Sequence, residues 1–138
     1  MRKVIHDTDV YVDWLNTGRH GDVLFAKGFL KYLSAVVLLE LEAGTFSKRD
    51  QRLIEKLAKG FDKADRIVVP SASDYREGGR LLQRLQEEKG YDLSKAYSLV
   101  NDVLIALSAR RIGAMVITQN AKDFEAIREL RPFPLMLV

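Results

Sequence analysis

Short apolar runs alternate with longer amphipathic stretches along this chain. Residues 3–7 (KVIHD) form an apolar run that predicts a buried strand, and Asp9 to about Asn16 predicts a helix that stops near Gly18. Over residues ~22–33, Val23, Phe25, Ala26, Phe29, Leu30 and Leu33 recur at helical spacing, which predicts a second helix. The stretch SAVVLLELEAG is apolar on every side from Ala35 to Leu41. Ser34 can cap a helix and Leu, Glu and Ala favour one, so it reads as a buried helix. KRDQRLIEKLAKGF follows as a helix with Leu53, Ile54, Leu57 and Phe61 on one side.

The second half repeats the alternation. RIVVP, residues 66–70, predicts a strand ended by Pro70, and SASDYREGGRLLQRLQEEKG a helix around Leu81, Leu82 and Leu85. Gly78 and Gly79 in that helix predict a kink or a close helix contact. Residues ~94–111 read as a helix starting at Ser94, AMVIT (114–118) as a strand, AKDFEAIREL as a short helix and LMLV as a closing strand. Strands alternating with helices predict an α/β fold: a three-layer α/β/α sandwich with a mainly parallel central sheet, built as one domain over residues 1–138. In such sheets ligands gather at the carboxyl ends of the strands. Asp7 falls at one such end and Thr118 to Asp123 at another.

Composition narrows the chemistry. There is no cysteine, so thiolate metal sites are excluded, and the two histidines, His6 and His20, argue against an all-histidine site. Any metal would be a hard cation held by oxygen, such as Mg²⁺ or Mn²⁺. No run of about 20 apolar residues predicts a membrane span, and the first residues lack a signal-peptide pattern, so a cytoplasmic protein is expected. The net charge of +3 is compatible with a polyanionic ligand without demanding one. Arg76, Arg80 and Arg84 recur four apart on one helix face, and Arg110 with Arg111 and Arg128 with Arg131 form further basic groups, which a solvated helix surface would also explain.

Two acids are out of place. Glu40 lies within an apolar run beside Val36, Val37, Ala43 and Gly44 on its helical face, and Asp102 lies within SLVNDVLIALSA beside Ser98, Leu99, Ile105 and Ala106. A buried, unpaired carboxylate costs several kcal/mol or takes up a proton. It needs a buried cationic side chain, a hydrogen-bond donor such as Asn101, or a bound cation. In VITQNAKDFEAI, Asn120 and Asp123 follow an apolar strand, where, taken alone, an ordinary helix cap is the better explanation. His6, Tyr11 and Trp14 read as packing residues, His20 as a solvated turn residue, and Asp13 as ordinary surface.

Taken together, DTDV after the first strand, SAVVLLELEAG, NDVLIALSA and VITQNAKDF resemble the PIN-domain ribonucleases, in particular the VapC-type toxins of toxin–antitoxin pairs. The resemblance runs nearly end to end, and its four motifs are specific as a set rather than singly. It implies a sandwich around a parallel sheet, Mg²⁺- or Mn²⁺-dependent cleavage of RNA, a homodimer, and inhibition by an antitoxin protein. It places the catalytic, metal-holding acids at Asp7, Glu40, Asp102 and Asp123, with Thr118 and Asn120 as accessory polar positions. Asp9 departs from the asparagine or serine usual there and is an accessory residue, either adding charge to the site or capping the helix. The mechanism further predicts a raised pKa on at least one acid when metal is absent, and flanking phosphates bound by Arg76, Arg110 and Arg111.

Two other readings fit parts of the pattern. DTDV also matches the start of haloacid-dehalogenase-like phosphatases, but the chain is short for that fold with its cap, and Glu40 stays unexplained. A PIN-like RNA-binding protein without activity fits the fold, yet gives no reason to aim four carboxylates at RNA.

Overall fold

The computed structural model describes residues 1–96 and 98–138. Five strands form one all-parallel sheet in the order β3-β2-β1-β4-β5. They are β1 (Arg2–His6), β2 (Phe29–Ser34), β3 (Ile67–Val68), β4 (Met115–Thr118) and β5 (Leu135–Leu137). The helices that flank it are α1 (Thr8–Thr17), α2 (Gly21–Leu24), α3 (Ala35–Ala43), α4 (Lys48–Lys63), α5 (Ala72–Lys89), α6 (Leu99–Arg111) and α7 (Ala121–Leu130). Val4, Ile5 and His6 are consecutive and all buried, so both faces of β1 are covered, as a parallel sheet in an α/β sandwich requires.

The observed elements follow the predicted ones with two corrections. The stretch read as a helix over ~22–33 holds only the single turn of α2, and its second half is β2, paired with β1 from Arg2↔Phe29 to Ile5↔Tyr32. Gly28, at φ 89°, breaks the chain direction where a side chain would be strained. Beyond it Phe29, Tyr32 and their neighbours gain more by pairing inside the sheet than their helical spacing offers. The helix expected from Ser94 starts at Leu99 instead. Asp92 accepts hydrogen bonds from the Ser94 N–H (3.0 Å) and hydroxyl (2.6 Å), folding residues 92–95 into a turn. Tyr97, within that predicted helix, lies outside the described residues.

Ser34 caps α3 as predicted, its hydroxyl accepting from the Val36 N–H at 3.1 Å. Gly78 is a packing glycine: a Cβ there would stand 3.4 Å from Val103 and 3.6 Å from Leu107, so its absence lets α5 lie against α6. The core joins both halves through Ile5, Leu33, Leu41, Leu99, Ile105 and Phe124. No described helix is long and apolar enough to cross a membrane.

Candidate active site

Three strand ends and two helices bring the out-of-place acids together. β1 ends in His6, and Asp7 follows as the cap of α1, its Oδ1 accepting from the Thr8 N–H at 2.8 Å. β4 ends in Thr118, whose hydroxyl donates to the other oxygen of Asp7 at 2.7 Å across the parallel pairing of the two strands. β2 leads into α3, which carries Glu40. The Thr8 hydroxyl donates to Glu40 Oε1 at 2.7 Å. Asp102 lies in the first turn of α6 and Asp123 in the first turn of α7. Asn120 joins these two: its Nδ2 stands 3.1 Å from Asp123 Oδ2 and 3.4 Å from Asp102 Oδ2, while its Oδ1 accepts from the Asp123 N–H at 3.3 Å. Asn120 is thus both the helix cap of the bland reading and a tie between acids, and the amide that reaches Asp102 belongs to it rather than to Asn101.

Asp9 sits beside Asp7 rather than turned to solvent. Its carboxylate accepts from the Gln119 N–H at 3.3 Å and lies 3.4 Å from the Thr118 hydroxyl, and its carbonyl accepts from Gln119 Nε2 at 3.0 Å. Sequence reasoning missed Tyr91, whose hydroxyl donates to Asp123 Oδ1 at 2.7 Å. It also missed Thr8 and Gln119. A tyrosine in the loop after α5 carries no periodic or spacing signal that would connect it to an acid 32 residues on.

The electrostatics are those of acids held without a counterion. Asp7 and Asp102 are 5% and 6% exposed, and among the described residues no ion pair reaches Asp7, Asp9, Glu40, Asp102 or Asp123. Burial first, and then the neighbouring charge of Asp9, push Asp7 up to about 7, against the opposing bonds from Thr118 and Thr8. Burial, followed by the charges of Asp7, Asp123 and Glu40, pushes Asp102 up to about 8. Asp9 is raised as well, chiefly by burial. Asp7, Asp9 and Asp102 thus carry the raised pKa values expected where carboxylates are buried side by side. Among the described residues, no three acids or histidines stand close enough to chelate one ion as they lie. Each acid instead accepts a hydrogen bond from a hydroxyl or an amide. The donor set is all oxygen, which suits a hard divalent cation.

The remaining candidates lie elsewhere. Arg111 is in the last turn of α6, nine residues or about 14 Å along the axis from Asp102. Its Nε donates to Asp74 Oδ2 at 3.0 Å and its Nη2 to the Val69 carbonyl at 2.8 Å. Arg110 donates to the Pro132 carbonyl at 3.0 Å. Arg76 is exposed on α5, thirteen residues or about 20 Å from the helix end that precedes Tyr91. All three arginines stand apart from the acids. His6 is fully buried edge-on to Tyr11 at 6.0 Å, and burial lowers its pKa to about 4, as fits a packing residue. His20 is not a solvated turn residue: its side chain is 12% exposed and its Nε2 lies 3.3 Å from Asp13. Asp13 in turn is a paired acid, also 3.5 Å from Arg19, rather than open surface.

The comparisons with known proteins agree with this fold. Residues 4–130 match the model of the PIN domain, and the chain belongs to that family. PIN domains are typically nucleases and generally use divalent metal ions. No curated protein matches the chain. Among solved structures it is similar to a chain of VapBC2 from Rickettsia felis bound to a DNA fragment from their promoter, with 27% identity, a TM-score of 0.67 and coverage of 99% and 98% of the two chains. It also shares its fold with DNA-bound VapBC from Salmonella typhimurium (17% identity, TM-score 0.69, coverage 99% and 98%). VapBC-5 from Mycobacterium tuberculosis, a member of the VapBC family of toxin–antitoxin systems, is a third such structure (23% identity, TM-score 0.65, coverage 100% of both).

Proposed function

We propose that this protein is a divalent-metal-dependent endoribonuclease and the toxin of a toxin–antitoxin pair. The observation that carries the reading is the convergence of Asp7, Glu40, Asp102 and Asp123 at the carboxyl end of a parallel sheet, two of them buried and none ion-paired among the described residues. A protein that merely bound RNA would gain nothing from carboxylates facing a polyanion.

In this reading Asp7, Glu40, Asp102 and Asp123 supply the oxygen ligands. Bound there, Mg²⁺ or Mn²⁺ would supply Lewis acidity toward a phosphodiester oxygen and toward water, for hydrolysis of the P–O bond. The chain's own residues prepare the site. Thr118 and the Thr8 N–H fix both oxygens of Asp7, and the Thr8 hydroxyl fixes Glu40. Asn120 and Tyr91 hold the two oxygens of Asp123. Asp7 and Asp102 retain protons near neutral pH when metal-free, so cation binding releases protons and strengthens as pH rises.

The antitoxin would seat in an apolar groove of about 370 Å³ between α1, α2, α3 and α4. Trp14, Leu15, Phe25, Leu53, Leu57 and Phe61 line it, with Phe25 58% exposed and edge-on to Trp14 at 5.2 Å. A homodimer would cover exposed apolar side chains such as Leu39 and Val100.

Cleavage of RNA in Mn²⁺ by the wild type, set beside Asp7→Asn, tests the reading. Loss of cleavage in a folded variant is expected. Wild-type cleavage by Asp7→Asn would refute the site. Hydrolysis of small phosphate esters in place of RNA would favour the phosphatase reading.

A further inference from the structure

Helix α4 carries a second ordered array that the acids do not use. Arg49, Arg52, Lys56, Lys59 and Lys63 are spaced three, four, three and four residues apart, and all five are exposed. On a helix this spacing confines them to an arc of about 80°, in a row about 21 Å long. Arg66 extends the row beyond the helix end, and Lys31 of β2 lies beside Lys56 and Arg66 around a shallow cavity of about 310 Å³. Among the described residues one member of the row has an acidic partner: Lys59, 3.1 Å from Glu55, a pair exposed to 76% and 64% and therefore weak. Residues 48–66 hold seven lysines and arginines against four acids, so the +3 of the whole chain is concentrated on this one segment.

Helix α5 provides the contrast. Its Arg76, Arg80, Arg84 and Lys89 are matched by Asp74, Glu77, Glu87 and Glu88. Arg84 donates to Glu88 at 2.6 Å, and Lys89 pairs with Glu129. Asp74 and Glu77 hold Arg111 and Arg131, so α5 carries as many acids as cations and has no net charge, whereas residues 48–66 carry an excess of three cations. The apolar face of α4, Leu53, Ile54, Leu57 and Phe61, already closes the groove described above. An occupant of that groove would share only Lys56 and Lys31 with the row and leave its outer cations unanswered. A straight row of exposed cations every 4.5–6 Å or so, with one weak pair among them, suits a ligand with regularly repeated negative charge.

We propose that the α4 row, Arg49 through Lys63 with Arg66, is a binding track for the phosphate backbone of single-stranded RNA. The choice of RNA as the polyanion rests on the nuclease reading. The track itself lies on a different element from every proposed metal ligand.

The test is fluorescence anisotropy of a labelled single-stranded oligoribonucleotide titrated with the full chain in EDTA, where no cleavage occurs, at several salt concentrations. Each lost contact lowers the slope of log K against log salt by about 0.7, equivalent to about fivefold in affinity at 0.1 M relative to 1 M. Arg52→Gln/Lys56→Gln/Lys59→Gln is expected to lose affinity on the order of a hundredfold and about 2 in slope. Lys59→Gln alone, a single surface change, should lose about 0.7 in slope. Arg76→Gln/Arg80→Gln/Arg84→Gln on α5 should bind within about twofold of wild type. Unchanged binding by the α4 variants, or an equal loss from the α5 variant, overturns the track, and retained binding of an acidic peptide to wild type would then assign the row to a protein partner. Salt-sensitive binding through α4 without any Mn²⁺-dependent cleavage would refute the nuclease reading and leave the track standing.

Discussion

Asp74 and Asp102 lie on packed neighbouring helices and are buried to the same degree, 4% and 6% exposed. Their surroundings differ in kind. Asp74 completes a capping box with Ser71, accepting its N–H at 2.9 Å, and receives the Arg111 guanidinium at 3.0 Å. Asp102 has one long amide contact, from Asn120 at 3.4 Å, and is otherwise surrounded by the charges of Asp7, Asp123, Glu40 and Asp9. The first is a carboxylate whose burial the fold itself compensates. The second has no cationic partner among the described residues, and under the proposed function a bound cation would compensate it. Burial alone does not separate a structural acid from a functional one; the partners do.

The comparison breaks most sharply in activity. Asp102→Asn should lower Mn²⁺-dependent RNA cleavage by about a thousandfold or more, equivalent to about 4 kcal/mol of transition-state stabilisation. Arg111→Met should leave cleavage by the folded fraction near wild type. Equal losses from both would erase the distinction.

Stability against pH sharpens it further. Asp7 and Asp102 bind protons more tightly in the folded chain, near 7 and 8, than their ordinary value of 3.8. Between those values the native state holds protons that the unfolded state has lost, so metal-free stability falls as pH rises and levels off above about 8. His6, lowered from 6.5 to about 4, acts in the opposite sense up to pH 6.5. The decline is therefore unopposed from about pH 6.5 to 8.5, where it should amount to about 3 kcal/mol by denaturant titration in EDTA. Asp102→Asn should flatten it and raise the stability at pH 8.5. A metal-free stability that climbs over this window would contradict the assignment.

Arg111→Met removes the cation from Asp74 and should cost about 2 kcal/mol. This is less than a fully buried pair would lose, because the guanidinium is 41% exposed. The smallest effect is expected at Tyr91. Tyr91→Phe deletes one hydrogen bond to Asp123 and should weaken Mn²⁺ binding by about tenfold, with about 1 kcal/mol of stability, read by calorimetry and melting.

These residues also mark what could be read from the chain alone. Glu40 and Asp102 were visible because a carboxylate inside SAVVLLELEAG or NDVLIALSA contradicts its own neighbours. The alternation of elements was enough for the parallel sheet, since strand-helix periodicity and short connections leave few other packings. Phe29–Ser34 was misread because six residues with mixed spacing fit helix or strand equally, and only the partner strand decides. Tyr91, Thr8 and Gln119 were invisible because their partners are remote in the chain or reached through loops, as with Tyr91 and Asp123. Among the cations, Arg76, Arg80 and Arg84 drew notice through simple spacing, yet they lie on a helix whose acids equal its cations in number, and Arg84 is held by Glu88. The row on α4 becomes distinctive only once its exposure is known, with Lys59 its one member in an ion pair among the described residues.

The most direct measurement of the central claim, that the buried acids form a cation site, is thermal melting at pH 7.5 with and without Mn²⁺, for wild type and Asp102→Asn. At a hundred times its dissociation constant the ion should stabilise the wild type by about 2.7 kcal/mol, a rise of several degrees, and leave Asp102→Asn nearly unmoved. A wild-type melting temperature indifferent to Mn²⁺, or an equal rise in the variant, would contradict the account.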